Sequence, residues 1–171
     1  DFTAIDPTKP RFVAGSIGPT NKTCSISPDV NNPAVRDISF DEMVHAYKSQ
    51  MTEMLLCDVD AFLIETIFDT LNAKAAIDVA EEAMNSIGKK ILLMLSAWIA
   101  DTGGRTLSGQ TLDAFVTSVK HADIFCIGLN CSFGAKQLKP FIKQLAETTP
   151  YYISVHPNAG LPNSFGQYDQ T

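Results

Sequence analysis

The sequence has little that would attach it to nucleic acid or to a lipid bilayer. It contains 13 Lys and Arg against 19 Asp and Glu, a net charge of −6 with no basic run, so a phosphate backbone or an anionic membrane surface would repel it. No apolar stretch reaches the roughly 18 residues of a membrane-spanning helix, and the longest dense run is 91–100. We therefore expect neither a nucleic-acid partner nor a membrane partner.

The chain also lacks the marks of a secreted protein. Its first residues have neither the basic nor the apolar segment of a signal peptide, and the four cysteines at positions 24, 57, 126 and 131 form no CxxC motif. We expect reduced thiols and a cytoplasmic location. An apolar content of 45% with 9% aromatic residues is sufficient for a core, and the sequence predicts one globular domain over residues 1–171.

Five apolar runs are spaced as strands are in βα units. They cover residues 12–17, 61–67, 91–99, 124–129 and 151–155. Nearly continuous apolar runs of this length are typical of strands buried on both faces of a parallel sheet. Helical patterns lie between them, the first opening with a capping box of Ser39 and Glu42. The chain is therefore α/β, either an open doubly wound sheet or a (β/α)8 barrel, and polar residues at every strand exit favour the barrel.

Three residues near the strand exits are candidates for chemistry. Glu65 stands in an otherwise apolar strand, where an ionised carboxylate is costly unless a salt bridge or a polar site accompanies it. Cys131 follows a buried run, so its thiol either projects into a site or is a small buried residue. His156 begins a turn-rich stretch, where an imidazole either binds metal or substrate or forms part of the scaffold.

Residues 104–111 match the spacing of a phosphate-binding loop, except that Gln110 occupies the position of the essential lysine. We expect a structural loop in which Ser108 or Thr111 caps the next helix.

Several motifs in order closely resemble the homocysteine-binding domain of cobalamin-dependent methionine synthases. They are Gly-Ser-Ile-Gly-Pro-Thr from Gly15, Ile-Glu-Thr-Ile-Phe-Asp-Thr from Ile64, Arg-Thr-Leu-Ser-Gly-Gln-Thr from Arg105, Gly-Leu-Asn-Cys ending at Cys131, and His-Pro-Asn-Ala-Gly from His156. The resemblance covers essentially the whole chain. It implies an incomplete (β/α)8 TIM barrel of about five βα units, corresponding to the third to seventh strands.

The same resemblance implies a zinc site and a substrate. Zinc would be held by three cysteine thiolates, of which Cys131 is the first, and the other two form an adjacent Cys-Cys pair that these 171 residues do not contain. Homocysteine would bind the zinc through its sulfur, with Glu65 and Thr66 at its amino group and Asn158 close to the zinc. No catalytic residue beyond the metal site is implied. The methyl group would come from methylcobalamin, and the partners would be the cobalamin-binding and folate-binding domains of a parent protein.

Two local departures accompany the resemblance. Ala97-Trp98 stands where the family usually has Gly-Thr, and Cys57-Asp58 replaces a Gly-Gly pair that ends a helix. A non-glycine residue in a left-handed helix cap costs about 1 kcal/mol. Two alternatives stay open: a methyltransferase of the same barrel family that uses betaine or S-methylmethionine, and a non-catalytic fragment. With one of three thiolates present, we expect the isolated chain to be inactive.

Overall fold

Five parallel strands form one sheet in the computed structural model, which describes residues 2–160 and 162–168. The strands are β1 (Ala14–Ile17), β2 (Ala61–Ile67), β3 (Leu92–Ala97), β4 (Cys126–Gly134) and β5 (Tyr152–Asn158), and they pair in chain order. This order confirms the α/β prediction and is the strand arrangement of a partial (β/α)8 barrel. β2 has the predicted bounds, whereas β4 runs five residues beyond its predicted end.

Helices alternate with the strands. They are α1 (Phe2–Ile5), α2 (Phe40–Leu56), α3 (Thr70–Ile87), α4 (Leu112–Val119) and α5 (Ala135–Thr148). The predicted capping box of Ser39 and Glu42 is present at the start of α2. Asp69 caps α3, and Gly88 ends α3 with a φ of +73°. The short α1 carries no sequence signal and was not predicted. None of the described helices combines the length and apolarity needed to cross a bilayer.

The helix α2 ends without a glycine. Cys57 follows its last residue, and Asp58 adopts the left-handed conformation with a φ of +61°. The Asp58 carboxylate pairs with the Lys89 ammonium at 2.7 Å, and this hydrogen bond lowers the pKa of Asp58. The backbone strain expected for a left-handed helix cap without glycine therefore falls on Asp58.

One face of the sheet packs against α2 to α5. Alternate strand residues point toward these helices and are almost completely buried, among them Phe62, Ile64, Leu93 and Leu95. Full burial of one such side chain contributes roughly 1.5–3 kcal/mol. This helix-covered face therefore contains most of the core.

The intervening strand residues form the opposite face, which corresponds to the interior of a barrel. From β1 to β5 they are Ala14, Ser16, Ala61, Leu63, Glu65, Leu92, Met94, Ser96, Cys126, Gly128, Asn130, Tyr152, Ser154 and His156. Among the described residues no helix covers this face. It is largely apolar toward the strand starts and polar toward the strand ends, where Glu65, Ser96, Asn130 and His156 lie. A polar site is thus restricted to the carboxyl edge.

The loop at residues 104–111 is structural, as predicted. An isolated antiparallel bridge joins Arg105 to Thr111, and the Thr111 hydroxyl caps α4 by accepting a hydrogen bond from the Ala114 amide. The side chain of Gln110 contacts the Thr70 hydroxyl. Gln110 thus joins this loop to the first residue of α3.

Gly128 permits the close approach of β4 and β5. A Cβ atom at this position would lie 2.0 Å from the backbone oxygen of Ser154, which only a shift of the strands could relieve. We expect Gly128→Ala to lower the free energy of unfolding by about 3 kcal/mol, because overpacking at backbone has no flexible neighbour to absorb it. Urea unfolding followed by circular dichroism measures the change.

Gly18→Ala is the matched control, since a Cβ there would meet nothing within 4 Å. Equal stabilities for the two variants would contradict the close approach of β4 and β5.

Candidate functional site at the carboxyl edge of the sheet

The four residues that the sequence analysis singled out by resemblance lie at the carboxyl ends of three strands. Glu65 and Thr66 are near the end of β2, Cys131 lies in the last part of β4, and Asn158 ends β5. Asn158 is paired with Gly134 across β4 and β5. Because all strands are parallel, these residues share one edge of the sheet. Their placement agrees with a site at that edge, and their roles stay predictions.

Glu65 has a hydroxyl partner in place of a salt bridge. The Ser16 hydroxyl, on the neighbouring strand, donates a hydrogen bond to its carboxylate. Within the described ranges, no ion pair involves Glu65. The half-buried carboxylate thus keeps acceptor capacity for a ligand, as one hydroxyl cannot satisfy both oxygens.

The amide of Asn130 is the polar centre of this edge. Its Oδ1 accepts hydrogen bonds from the Thr66 backbone amide at 3.0 Å and the Ser96 hydroxyl at 2.6 Å. Its Nδ2 donates to the Thr66 hydroxyl at 2.8 Å and to the Cys131 sulfur at 3.2 Å. Asn130 is 4% exposed, and these four contacts account for both donors and both acceptor positions of its amide.

Cys131 is exposed because the strand bulges immediately after Asn130. The pairing of β4 with β5 shifts between Asn130 and Gly134, and Cys131 and Ser132 have φ values of +55° and +64°. The Ser132 hydroxyl accepts a hydrogen bond from the Ile99 amide, which fixes the bulge to the loop after β3. β4 therefore continues past Cys131 to Gly134, and the bulge exposes the Cys131 thiol.

Thr66 is in a comparable conformation. Its φ of +57° is unfavourable for a β-branched residue, and both its backbone amide and its hydroxyl bond to Asn130. The buried amide of Asn130 therefore compensates an unfavourable backbone conformation at the end of β2. Sequence reasoning included Asn130 only as a letter of the Gly-Leu-Asn-Cys motif, although a polar residue in a buried strand is itself a signal.

The described residues do not form a zinc site by themselves. Nowhere in residues 2–160 and 162–168 do three His, Cys, Asp or Glu side chains converge. Cys131 supplies one thiol at this edge, and the side chain of His156, opposite Asn130 in the register, is exposed. Protein-bound zinc takes three or four protein ligands, so this donor set is too small.

The loop between β1 and α2 packs against α2 and α3. The Tyr47 hydroxyl donates to the Gly18 carbonyl at 3.0 Å, and burial raises the pKa of Tyr47 to about 12. Burial, with a smaller contribution from the charge of Asp69, also raises the pKa of the Cys24 thiol. Both groups are therefore neutral at pH 7, which fits a role in packing the loop against α2 and α3.

A family model described as homocysteine S-methyltransferase matches residues 2–171 of the chain.

Solved structures of the homocysteine methyltransferase MmuM from Escherichia coli share the fold. The apo form is 18% identical with a TM-score of 0.69, the metallated form 17% with 0.71, and the oxidized form 18% with 0.70. The alignments cover 91%, 93% and 92% of this chain, and 52%, 53% and 51% of the MmuM chain, respectively. The chain thus spans about half the length of the MmuM structures.

Removal of the Asn130 side chain tests whether it holds the carboxyl edge together. We expect Asn130→Ala to lower the free energy of unfolding by about 1–3 kcal/mol, because the Thr66 amide and the buried Ser96 hydroxyl lose their acceptor. Asn85→Ala, an exposed change on α3, is expected to stay within about 0.5 kcal/mol of the wild type. If the two variants unfold alike in urea, Asn130 does not have this role.

Proposed function

The chain belongs to the homocysteine S-methyltransferase family, and on that basis we propose that its carboxyl edge binds homocysteine for methyl transfer to the homocysteine sulfur. The observation that carries the proposal is the Asn130 network, which ties Thr66 of β2 to Cys131 of β4. The buried amide of Asn130 therefore links Thr66, which we place at the amino end of homocysteine, with Cys131, which we place at its sulfur.

Glu65 is the proposed partner of the homocysteine ammonium. A carboxylate that accepts a charge-assisted hydrogen bond from an ammonium gives both orientation and affinity. The Ser16 hydroxyl supports this role, since it holds the Glu65 carboxylate without neutralising its charge. Thr66 and Asn158 are the other proposed contacts of the substrate.

The proposed reaction forms a carbon–sulfur bond to homocysteine and breaks the bond between the methyl group and its donor. The homocysteine thiol, whose pKa resembles the value of about 8.5 for free Cys, must lose its proton before it attacks. The motif resemblance favours methylcobalamin, held by another domain of a parent protein, as the donor. Betaine or S-methylmethionine is as well supported by the family and the fold, since these are common to all three reactions.

Cys131 is the proposed contribution of this chain to a zinc ion that would make thiolate formation favourable at neutral pH. The resemblance assigns the other two ligands to a Cys-Cys pair, and the 171 residues contain no such pair. We assign no step to the metal in this chain.

Homocysteine binding tests the role of Glu65. Trp98 is the only tryptophan, and it directly follows β3 at the same edge, so its fluorescence reports on ligand at the site. We expect Glu65→Gln to weaken the binding of L-homocysteine tenfold to about a hundredfold, the equivalent of one charge-assisted hydrogen bond of about 1.5–3 kcal/mol.

Two controls make the result specific. Glu147→Gln, an exposed change on α5, is expected to bind homocysteine as the wild type does. A homocysteine analogue without the amino group, 4-sulfanylbutanoate, is expected to bind the wild type and Glu65→Gln equally. Equal homocysteine affinities for Glu65→Gln and the wild type would rule out Glu65 as the ammonium partner.

Metal analysis tests the ligand set. After gel filtration we expect no stoichiometric zinc on the 171-residue chain, and no methyl transfer from methylcobalamin or S-methylmethionine. An extended chain with the family's remaining strands, including a Cys-Cys pair, is expected to bind one zinc and to lose it on Cys131→Ala. One tightly held zinc per 171-residue monomer, measured by mass spectrometry, would show that the proposed ligand set is wrong.

A further inference from the structure

The first turn of α3 holds the loops on both sides of β2. We use the term α3 clamp for the side chains of Asp69, Thr70 and Asn72, which lie just beyond the end of the strand that carries Glu65. All three are buried, and each is bonded to a loop of a neighbouring βα unit. Buried polar side chains of this kind are stable only when their partners stay in place.

Asn72 bonds to three backbone groups of the loop after β1. Its Oδ1 accepts a hydrogen bond from the Cys24 amide at 2.9 Å, and its Nδ2 donates to the Pro19 carbonyl at 3.1 Å and the Lys22 carbonyl at 2.8 Å. Asn72 is 2% exposed. One amide thus holds the first residue, the middle and the last but one residue of a short stretch, residues 19–25, which we call segment 19–25.

Asp69 fixes the end of the same segment. Its carboxylate accepts hydrogen bonds from the Ser25 amide at 2.8 Å and the Ser25 hydroxyl at 2.6 Å, and it also caps α3 through the Leu71 amide at 2.9 Å. On the other side of β2, the Thr70 hydroxyl contacts the Gln110 side chain, and the Ser108 amide donates to the Phe68 carbonyl. Gln110, which occupies the lysine position of a phosphate-binding loop, is therefore bonded to α3.

Pro19, the first residue of segment 19–25, lies beside Glu65. Pro19, Glu65, Asp69 and Asn72 line one small cavity of about 10 Å³, too small for a ligand. Pro19 is therefore packed closely beside Glu65, and its movement away from Glu65 requires its hydrogen bond to Asn72 to break.

We propose that Asn72 is a positioning residue that locks segment 19–25 against Glu65 and so preorganises the homocysteine site. The inference rests on the proposed function, because it assigns Glu65 to the substrate. Asn72 lies behind the segment, so it acts on the substrate only through the loop that it holds. A locked segment lowers the entropy that substrate binding would otherwise lose in ordering the loop.

Limited proteolysis measures the lock directly. Trypsin cleaves after Lys22, an exposed residue within the segment. We expect Asn72→Ala to increase the rate of cleavage after Lys22 at least tenfold relative to cleavage at lysines within α3 and α5. Asn72→Asp keeps the acceptor for the Cys24 amide but places a carboxylate oxygen against the Pro19 and Lys22 carbonyls, so it is expected to release the segment at least as much and serves if Asn72→Ala does not fold.

Val119→Ala is the control for a general loss of stability. Val119 is completely buried in α4, away from the α3 clamp, and its truncation destabilises the whole domain. It is expected to raise cleavage at all sites together and to leave the ratio for Lys22 unchanged. A ratio for Asn72→Ala equal to that of Val119→Ala would overturn the lock.

The affinity for L-homocysteine, measured by Trp98 fluorescence, tests the consequence for the site. We expect at least tenfold weaker binding for Asn72→Ala and an unchanged affinity for Val119→Ala. Unchanged affinity with a released segment would overturn the positioning role. If the wild type itself does not bind homocysteine, the proposed function fails, while the cleavage ratio still decides whether Asn72 locks the segment.

Discussion

The carboxyl edge depends on a single buried amide, the side chain of Asn130. It lies between β2 and β4 beside the Ser96 hydroxyl, and all of its hydrogen-bonding positions are occupied. Two residues that it contacts, Thr66 and Cys131, have positive φ values that cost free energy in any residue with a side chain. A fully satisfied amide in a buried position is a rigid support, because any movement would leave donors and acceptors unpaired.

The parallel sheet explains why this support lies where it does. Strands in chain order bring all carboxyl ends to one edge, and the residues that face away from the helices change from apolar to polar along each strand. Gly128 and Ser154 lie in register with Ser96, one residue pair before Asn130 and His156 on the same face, and β4 and β5 approach closely there. The polar site is thus built on a close-packed base, which keeps its side chains in fixed positions.

Around this base, the loops depend on α3 more than on the sheet. Asp69 and Asn72 hold the loop after β1, and Thr70 contacts the loop after β3. The strand with Glu65 leads directly into this turn. Glu65, which we propose binds the substrate, and the side chains that hold two loops therefore belong to one short stretch of chain. A change in that stretch therefore affects both the binding residue and the shape of its surroundings.

The sequence by itself determined the α/β class, the order of strands and helices, and the capping box at Ser39, because these depend on local periodicity and on side chains close in the chain. It also indicated Glu65 and Cys131, a carboxylate and a thiol out of place beside apolar strands. Only the tertiary structure decided the bulge at Cys131, the bidentate contact of Asn130 with Thr66 and the bonds of Asn72 to Pro19, Lys22 and Cys24. The hydrogen bonds of Asn72, and those of Asn130 with Thr66, join residues 48 to 64 positions apart, and hydrogen-bond geometry between such distant groups exists only after the strands and helices have packed.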